Sequence, residues 1–219
     1  MKMAGTLTAD ELELSRSGAP PGGDAGSRDG DGSPDSGAPR RVPARAYFTG
    51  MSLALAGILM FFMALVSSYI VRKADPGWQP VNLPPVLWVN TVLLVLSSVT
   101  LSRALGAVRR DDGAQFSLWW RVTTVLGVLF LAGQVIAWRQ LEAAGVFLAS
   151  NAASSFFYLL TASHGLHLLG GVLALLYVAV RNWSAARTTQ STAAEVVGVY
   201  WHFMDGLWVF LMAVLFISK

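Results

Sequence analysis

Residues Ala46 to Val71, AYFTGMSLALAGILMFFMALVSSYIV, run for 26 positions without a charged side chain. As a helix rising 1.5 Å per residue this stretch would measure about 39 Å, more than the roughly 30 Å of hydrocarbon in a bilayer. Outward from it the pattern recurs. Pro76 to Ser102 is also uncharged, and Pro76, Pro80, Pro84 and Pro85 mark a loop before a helix that opens near Val86. Val122 to Trp138 spans 17 residues between Arg121 and Arg139. Arginine stems snorkel along apolar surface, so the span there is expected to reach 118–141. Ala143 to Val180 is a 38-residue uncharged run, long enough for a loop and a helix from about Ser154. The last run, Val196 to Ile217, is interrupted by one acid, Asp205. The expectation is an all-α, polytopic membrane bundle of five transmembrane helices at about 46–71, 86–102, 118–141, 154–180 and 196–217.

Composition agrees with that class. Of the 219 residues, 54% are hydrophobic and 13% charged, against about 25% charged in a typical soluble domain. Residues 1–45 carry 7 of the 13 acidic and 6 of the 16 basic groups, so the remaining chain is poorer in charge than the average suggests. The same 45 residues hold 8 Gly, 5 Pro and 5 Ser with almost no apolar run. Such a segment buries too little surface to offset its ordering entropy, and it reads as a disordered tail ahead of a membrane domain at 46–219. It lacks the apolar core of a signal peptide. Cysteine is absent, which excludes disulfides, thiolate metal sites, iron–sulfur clusters and a thiol nucleophile. A net charge of +3 gathered in short loops suits membrane orientation and gives no case for nucleic acid.

With the N-terminus placed in the cytoplasm, the inner side holds Arg40, Arg41, Arg45, Arg103, Arg109, Arg110, Arg121, Arg181 and Arg187, and the outer side Arg72, Lys73, Arg139 and Lys219. That excess places the N-terminus inside and the C-terminus outside. Trp78, Trp88, Trp119, Trp120, Trp138 and Trp183 fall near the expected helix ends, as an interfacial belt should.

Ionisable groups inside a span are costly, and each invites a functional reading. His164 and His167 are three apart on the fourth helix, and His202 and Asp205 three apart on the fifth, so each pair shares a face. All four lie near the middle of their spans. If the two faces meet, they form one intramembrane polar network in which histidines could satisfy the Asp205 carboxylate. Glu195, ten residues before Asp205, belongs about 15 Å away along the axis at the helix mouth. The cluster admits three readings: a structural lock between helices, a proton- or lipid-linked role, and a metal or haem site. Gly170 with Ala174, and Gly50 with Gly57, are candidate close-contact steps. Phe61, Phe62 and Tyr69 suit lipid-facing or packing positions. No phosphate loop, nucleophile–base pair or metalloprotease helix is present in the sequence.

The stretch Phe156-Phe157-Tyr158-Leu159-Leu160-Thr161-Ala162-Ser163-His164-Gly165-Leu166-His167 resembles the fourth-helix signature of subunit III of haem–copper oxidases, roughly F-[FY]-x-x-T-x-x-H-G-L-H. Glu195, then Tyr200-Trp201-His202-Phe203-Met204-Asp205 and Leu207-Trp208-Val209-Phe210, resembles the family's last-helix motif. Weaker similarity runs through Met60-Phe61-Phe62 with Ser68-Tyr69, and Asn90-Thr91. The resemblance covers about Phe48 to Ile217.

It implies a non-catalytic subunit of a cytochrome c oxidase-type respiratory complex in a bacterial plasma membrane. Such a subunit has no cofactor of its own; haem and copper belong to partner subunits I and II, and bound phospholipid is expected. Its implied work is to support assembly, stability and proton uptake while the partner reduces oxygen. The residue counts agree. A catalytic subunit of such an oxidase needs six histidines and this chain has three; a dinuclear copper subunit needs two cysteines and it has none. Departures from the family pattern are Ile58, where many members carry a glutamate, and Ala137 and Trp138 in place of an acid and a tyrosine after Gln134. Longer members have seven spans, the first two cradling lipid. An accessory protein of nitric oxide reductase, a haem-binding membrane anchor and a small transporter are the alternative readings.

Overall fold

A computed structural model describes residues 44–76, 78, 83–181 and 187–217, all within the compact unit Arg41–Lys219. The expected disordered tail, apart from its last two residues, lies outside the described residues, as do Trp183 and Lys219. Five helices follow in order: α1 (Ala44–Lys73), α2 (Val86–Arg109), α3 (Gly113–Ala143), α4 (Ala152–Arg181) and α5 (Arg187–Ile217). All five contain spans long and apolar enough to cross a membrane.

The helices outrun the uncharged stretches. α2 continues past Ser102 to Arg109, α3 starts at Gly113, and α5 starts nine residues before Val196. Charge marks where hydrocarbon gives way to headgroups, whereas the helical hydrogen-bond ladder continues until something in the backbone stops it. Between α2 and α3 the stop is local. Asp111 takes a left-handed conformation (φ 56°), the Asp112 amide donates to the Ala107 carbonyl (3.0 Å), and the Asp112 side chain accepts from the Gln115 amide (3.0 Å). Aspartate tolerates the left-handed region and is a strong N-cap. α3 ends in a Schellman motif at Gly145 (φ 77°), with Val146 N–H donating to Leu141 C=O and Gly145 N–H to Glu142 C=O. α4 opens on a reciprocal cap, Ser154 N–H to Asn151 Oδ1 at 2.7 Å and Asn151 N–H to Ser154 Oγ at 3.1 Å.

α2, α3, α4 and α5 close a ring in which each packs on two neighbours, and α2 with α3 is the most extensive pair; α1 leans on α4 and α5. The buried stripe of α2, Leu87, Asn90, Leu94, Ser97, Leu101, Ala104 and Ala107, steps by three and four as a single helix face must. On α1 the buried side chains are Phe62, Val66 and Tyr69, and most of the rest is exposed apolar surface. Phe61 is about half exposed, in keeping with a lipid-facing position, while Phe62 is core.

Close approach occurs at glycines other than the expected ones. A Cβ on Gly127 of α3 would sit 2.6 Å from the ring of Trp201, one on Gly198 of α5 would sit 2.8 Å from Leu105, and one on Gly133 would run into Asn90 Oδ1. Gly171 makes room for Tyr200 and Trp201, whereas its neighbour Gly170 only grazes Tyr200, and Gly50 and Gly57 face open space. A spacing of small residues does not say which way the helix is turned. Gly127→Ala is therefore expected to destabilise the chain by about 1–3 kcal/mol through overpacking against a ring that cannot retreat. Gly57→Ala should leave the detergent melting midpoint unchanged, and comparing the two midpoints checks the packing.

Candidate functional site

Intramembrane polar groups sit on α2, α3, α4 and α5, and the four ionisable ones expected to form a network lie on α4 and α5. His164 is fully buried and ringed by aromatics from three other helices: Trp208 of α5 at 5.0 Å, Phe130 of α3 at 6.0 Å and Phe62 of α1 at 6.4 Å between ring centroids. Neither of its ring nitrogens has a hydrogen-bond partner. His167, one turn on, places Nδ1 2.7 Å from the Ser163 carbonyl; a carbonyl only accepts, so Nδ1 carries the proton. Its ring lies 5.6 Å from Phe62 and 6.3 Å from Phe61.

His202 turns away from α4. Its Nδ1 is 2.7 Å from Ser98 Oγ and its Nε2 3.4 Å from Ser102 Oγ, both on α2. Asp205 is buried, and neither carboxylate oxygen has a hydrogen-bond partner, although Ser98 is close enough to interact with it. The four residues expected to bond one another therefore make no hydrogen bond among themselves. Helix geometry explains it. At about 100° per residue, Trp201 and Trp208 share one face of α5, and His202 lies a third of a turn round from them. The face towards α3 and α4 is filled by tryptophan rings, which leaves His202 to α2. Glu195 is half-buried towards the start of α5, ten residues from Asp205.

What binds the helices to each other is a set of indole and hydroxyl contacts that the sequence reading missed. Trp201 Nε1 donates to Ser97 Oγ (2.9 Å), Trp208 Nε1 to Thr91 Oγ1 (3.1 Å), Trp120 Nε1 to the Leu175 carbonyl (2.9 Å) and Trp138 Nε1 to Thr161 Oγ1 (3.1 Å). Tyr200 donates its hydroxyl to the His167 carbonyl (2.7 Å), and Thr100 pairs with Thr123 (2.8 Å). Trp120, assigned to an interfacial belt, is 1% exposed and part of the core; Trp88, 52% exposed, does lie at the surface. The available signal was the pair of tryptophans in mid-span, Trp201 and Trp208, with hydroxyl residues at Thr91, Ser97 and Thr161 to receive such donors. Among the described residues no three of His, Asp and Glu converge as a metal-binding group.

Comparison with known proteins adds the family. The family model of cytochrome c oxidase subunit III matches residues 46–218. A probable cytochrome c oxidase subunit 3 of Mycobacterium bovis is 36% identical over 177 residues, covering 78% of this chain and 87% of its own. Cytochrome c oxidase subunit 3 of Corynebacterium diphtheriae is 33% identical over 198 residues, 84% of this chain and 96% of its own. The Synechocystis protein of the same name is 31% identical over 175 residues, 77% and 74%.

The His202 contacts differ in length, and so should their removal. Hydrogen bonds between membrane helices average about 0.6 kcal/mol and reach about 1.7. Ser98→Ala is expected to cost more than Ser102→Ala, because the 3.4 Å contact contributes little. Thermal unfolding of the two variants in the same detergent measures the difference; equal losses would contradict the geometry.

Proposed function

The chain belongs to the cytochrome c oxidase subunit III family, and we propose that it packs against subunits I and II of the oxidase as a non-catalytic scaffold. It is an integral protein of the bacterial plasma membrane and subunit III of a haem–copper oxidase. In this reading haem and copper reside in the partner subunits. This chain sustains the assembly, the stability and the proton uptake of the catalytic subunit, and phospholipid fills the remaining apolar contacts. The N-terminus lies in the cytoplasm, on the side richer in arginine.

The observation that carries the scaffold reading is where the buried polar side chains are spent. The indole donors of Trp201 and Trp208, the Tyr200 hydroxyl and the His202 ring are all committed to α2 or α4, holding α5 in register. His164 is enclosed by rings from α1, α3 and α5. His164, His167, His202 and Asp205 then serve as intramembrane polar groups that fix α4 and α5 relative to α1 and α2. Glu195 serves as an acid towards the helix mouth.

Two results test this. A tagged chain should bring down partner subunits carrying haem absorbance from native membranes. The double variant His202→Ala, Asp205→Ala, which frees α5 from Ser98, should be retained less well in the complex, and turnover should decay faster. Unchanged retention together with unchanged decay would remove the assigned role.

A further inference from the structure

We propose that the opening between α2 and α3, at the end of the bundle where one helix turns into the other, receives an acidic segment of a partner subunit. The inference rests on the scaffold reading above and names one place where a partner would seat. A cavity of about 640 Å³ lies there, lined among others by Ser102, Arg103, Arg110, Asp112, Gln115 and Trp119.

Two facing stripes build it. On α2, Arg103, Gly106 and Arg110 follow at three- and four-residue steps and share one side of the helix. At the start of α3, Asp112, Gln115 and Trp119 follow the same steps. Gly106 keeps the space between the two arginines clear, since a Cβ there would meet nothing within 4 Å. The turn from Arg110 to Asp112 borders the cavity. Irregular backbone is not left exposed to hydrocarbon, so the opening lies at the level of headgroups and water, within reach of a partner's extramembrane chain.

Charge selects the occupant. The Arg103 guanidinium lies over the Trp119 ring, 4.9 Å from its centroid. That stacking holds the flat group by one face and leaves its N–H edge free for a carboxylate. Neither Arg103 nor Arg110 forms an ion pair among the described residues; the Arg72–Asp75 pair lies at the opposite end of the bundle. Asp112, the acid in the lining, already accepts from the Gln115 amide as the cap of α3. Two arginines thus face one engaged carboxylate, and the cavity is left net cationic. Arginine clusters of this kind dock acidic motifs, and arginine with tryptophan carries much of the binding energy at protein interfaces.

Spacing narrows the occupant further. Arg110 follows Arg103 by seven residues, about 10 Å along the helix axis, and Trp119 holds Arg103 at its own level. A single anion does not answer two cations so far apart. Two carboxylates three residues apart on an extended chain span the same distance of about 10 Å.

The test uses the full chain in native membranes, with the photo-crosslinking residue p-benzoylphenylalanine in place of Gln115. Illumination should join the chain to a partner subunit, within a peptide carrying two Asp or Glu residues about three positions apart. A crosslink to a peptide without acids, to lipid alone or to no partner overturns the assignment. In parallel, Arg103→Glu with Arg110→Glu should lower the partner brought down by a tagged chain about tenfold, because like charges then meet in the opening. Gly106→Leu should lower it as well without altering charge, and it keeps the fold, because its side chain grows into open space and leucine favours the helix. Arg121→Glu, outside the cavity lining, should change nothing. Wild-type recovery by both cavity variants overturns the assignment, as does an equal loss with Arg121→Glu. Those results leave co-purification by the wild-type chain intact. If the wild-type chain itself brings down no haem-carrying partner, the scaffold reading falls and this one falls with it.

Discussion

An indole N–H in hydrocarbon has no water to fall back on, and the rest of this bundle is arranged around giving Trp120, Trp138, Trp201 and Trp208 acceptors on other helices. Trp201 and Trp208 reach α2, Trp120 reaches the backbone of α4, and Trp138 reaches Thr161. A large ring can cross between helices only where the opposite backbone is bare, which is why Gly127 and Gly171 lie against Trp201. The hydrogen bonds and the glycines are one device: the glycine admits the ring, and the ring's polar edge fixes how far the helices slide. Apolar packing alone would not specify this, because lipid tails are as apolar as leucine.

That device decides how the polar chemistry of the interior is read. A midplane histidine pair facing another histidine suggests ligation, yet His164 is walled in by Trp208, Phe130 and Phe62, and His202 is held by Ser98. Ring stacking around His164 ties α4 to α1, α3 and α5 at a single depth. These contacts fix the bundle interior of a chain that belongs to the cytochrome c oxidase subunit III family.

The class of fold was legible in the sequence because bilayer thickness and charge placement leave few choices: five long uncharged runs gave five helices. The family was legible in two motifs, around His164 and around His202, that are specific over several residues. The helix ends were not legible, since Arg103 and Arg109 lie within a helix that continues through the headgroup zone and stops at the backbone turn of Asp111. Nor was the rotation of each helix. Helices that are apolar all round have no polar face to mark their rotation, and nothing in Gly50 or Gly57 distinguishes them from Gly127 or Gly133. The direction of His202 followed from that rotation, and so did the core position of Trp120.

The three-residue link between α2 and α3, Arg110 to Asp112, joins the two helices that share the most surface. Closing so short a loop forfeits little chain entropy, and contacts between neighbours in sequence form fastest. The largest interface in the bundle is thus also the one with the lowest contact order, and α2 with α3 can enter the membrane as a ready-made hairpin. α5 has to find α2 across two intervening helices. Its tryptophans therefore act late, closing a ring whose first half is already in place.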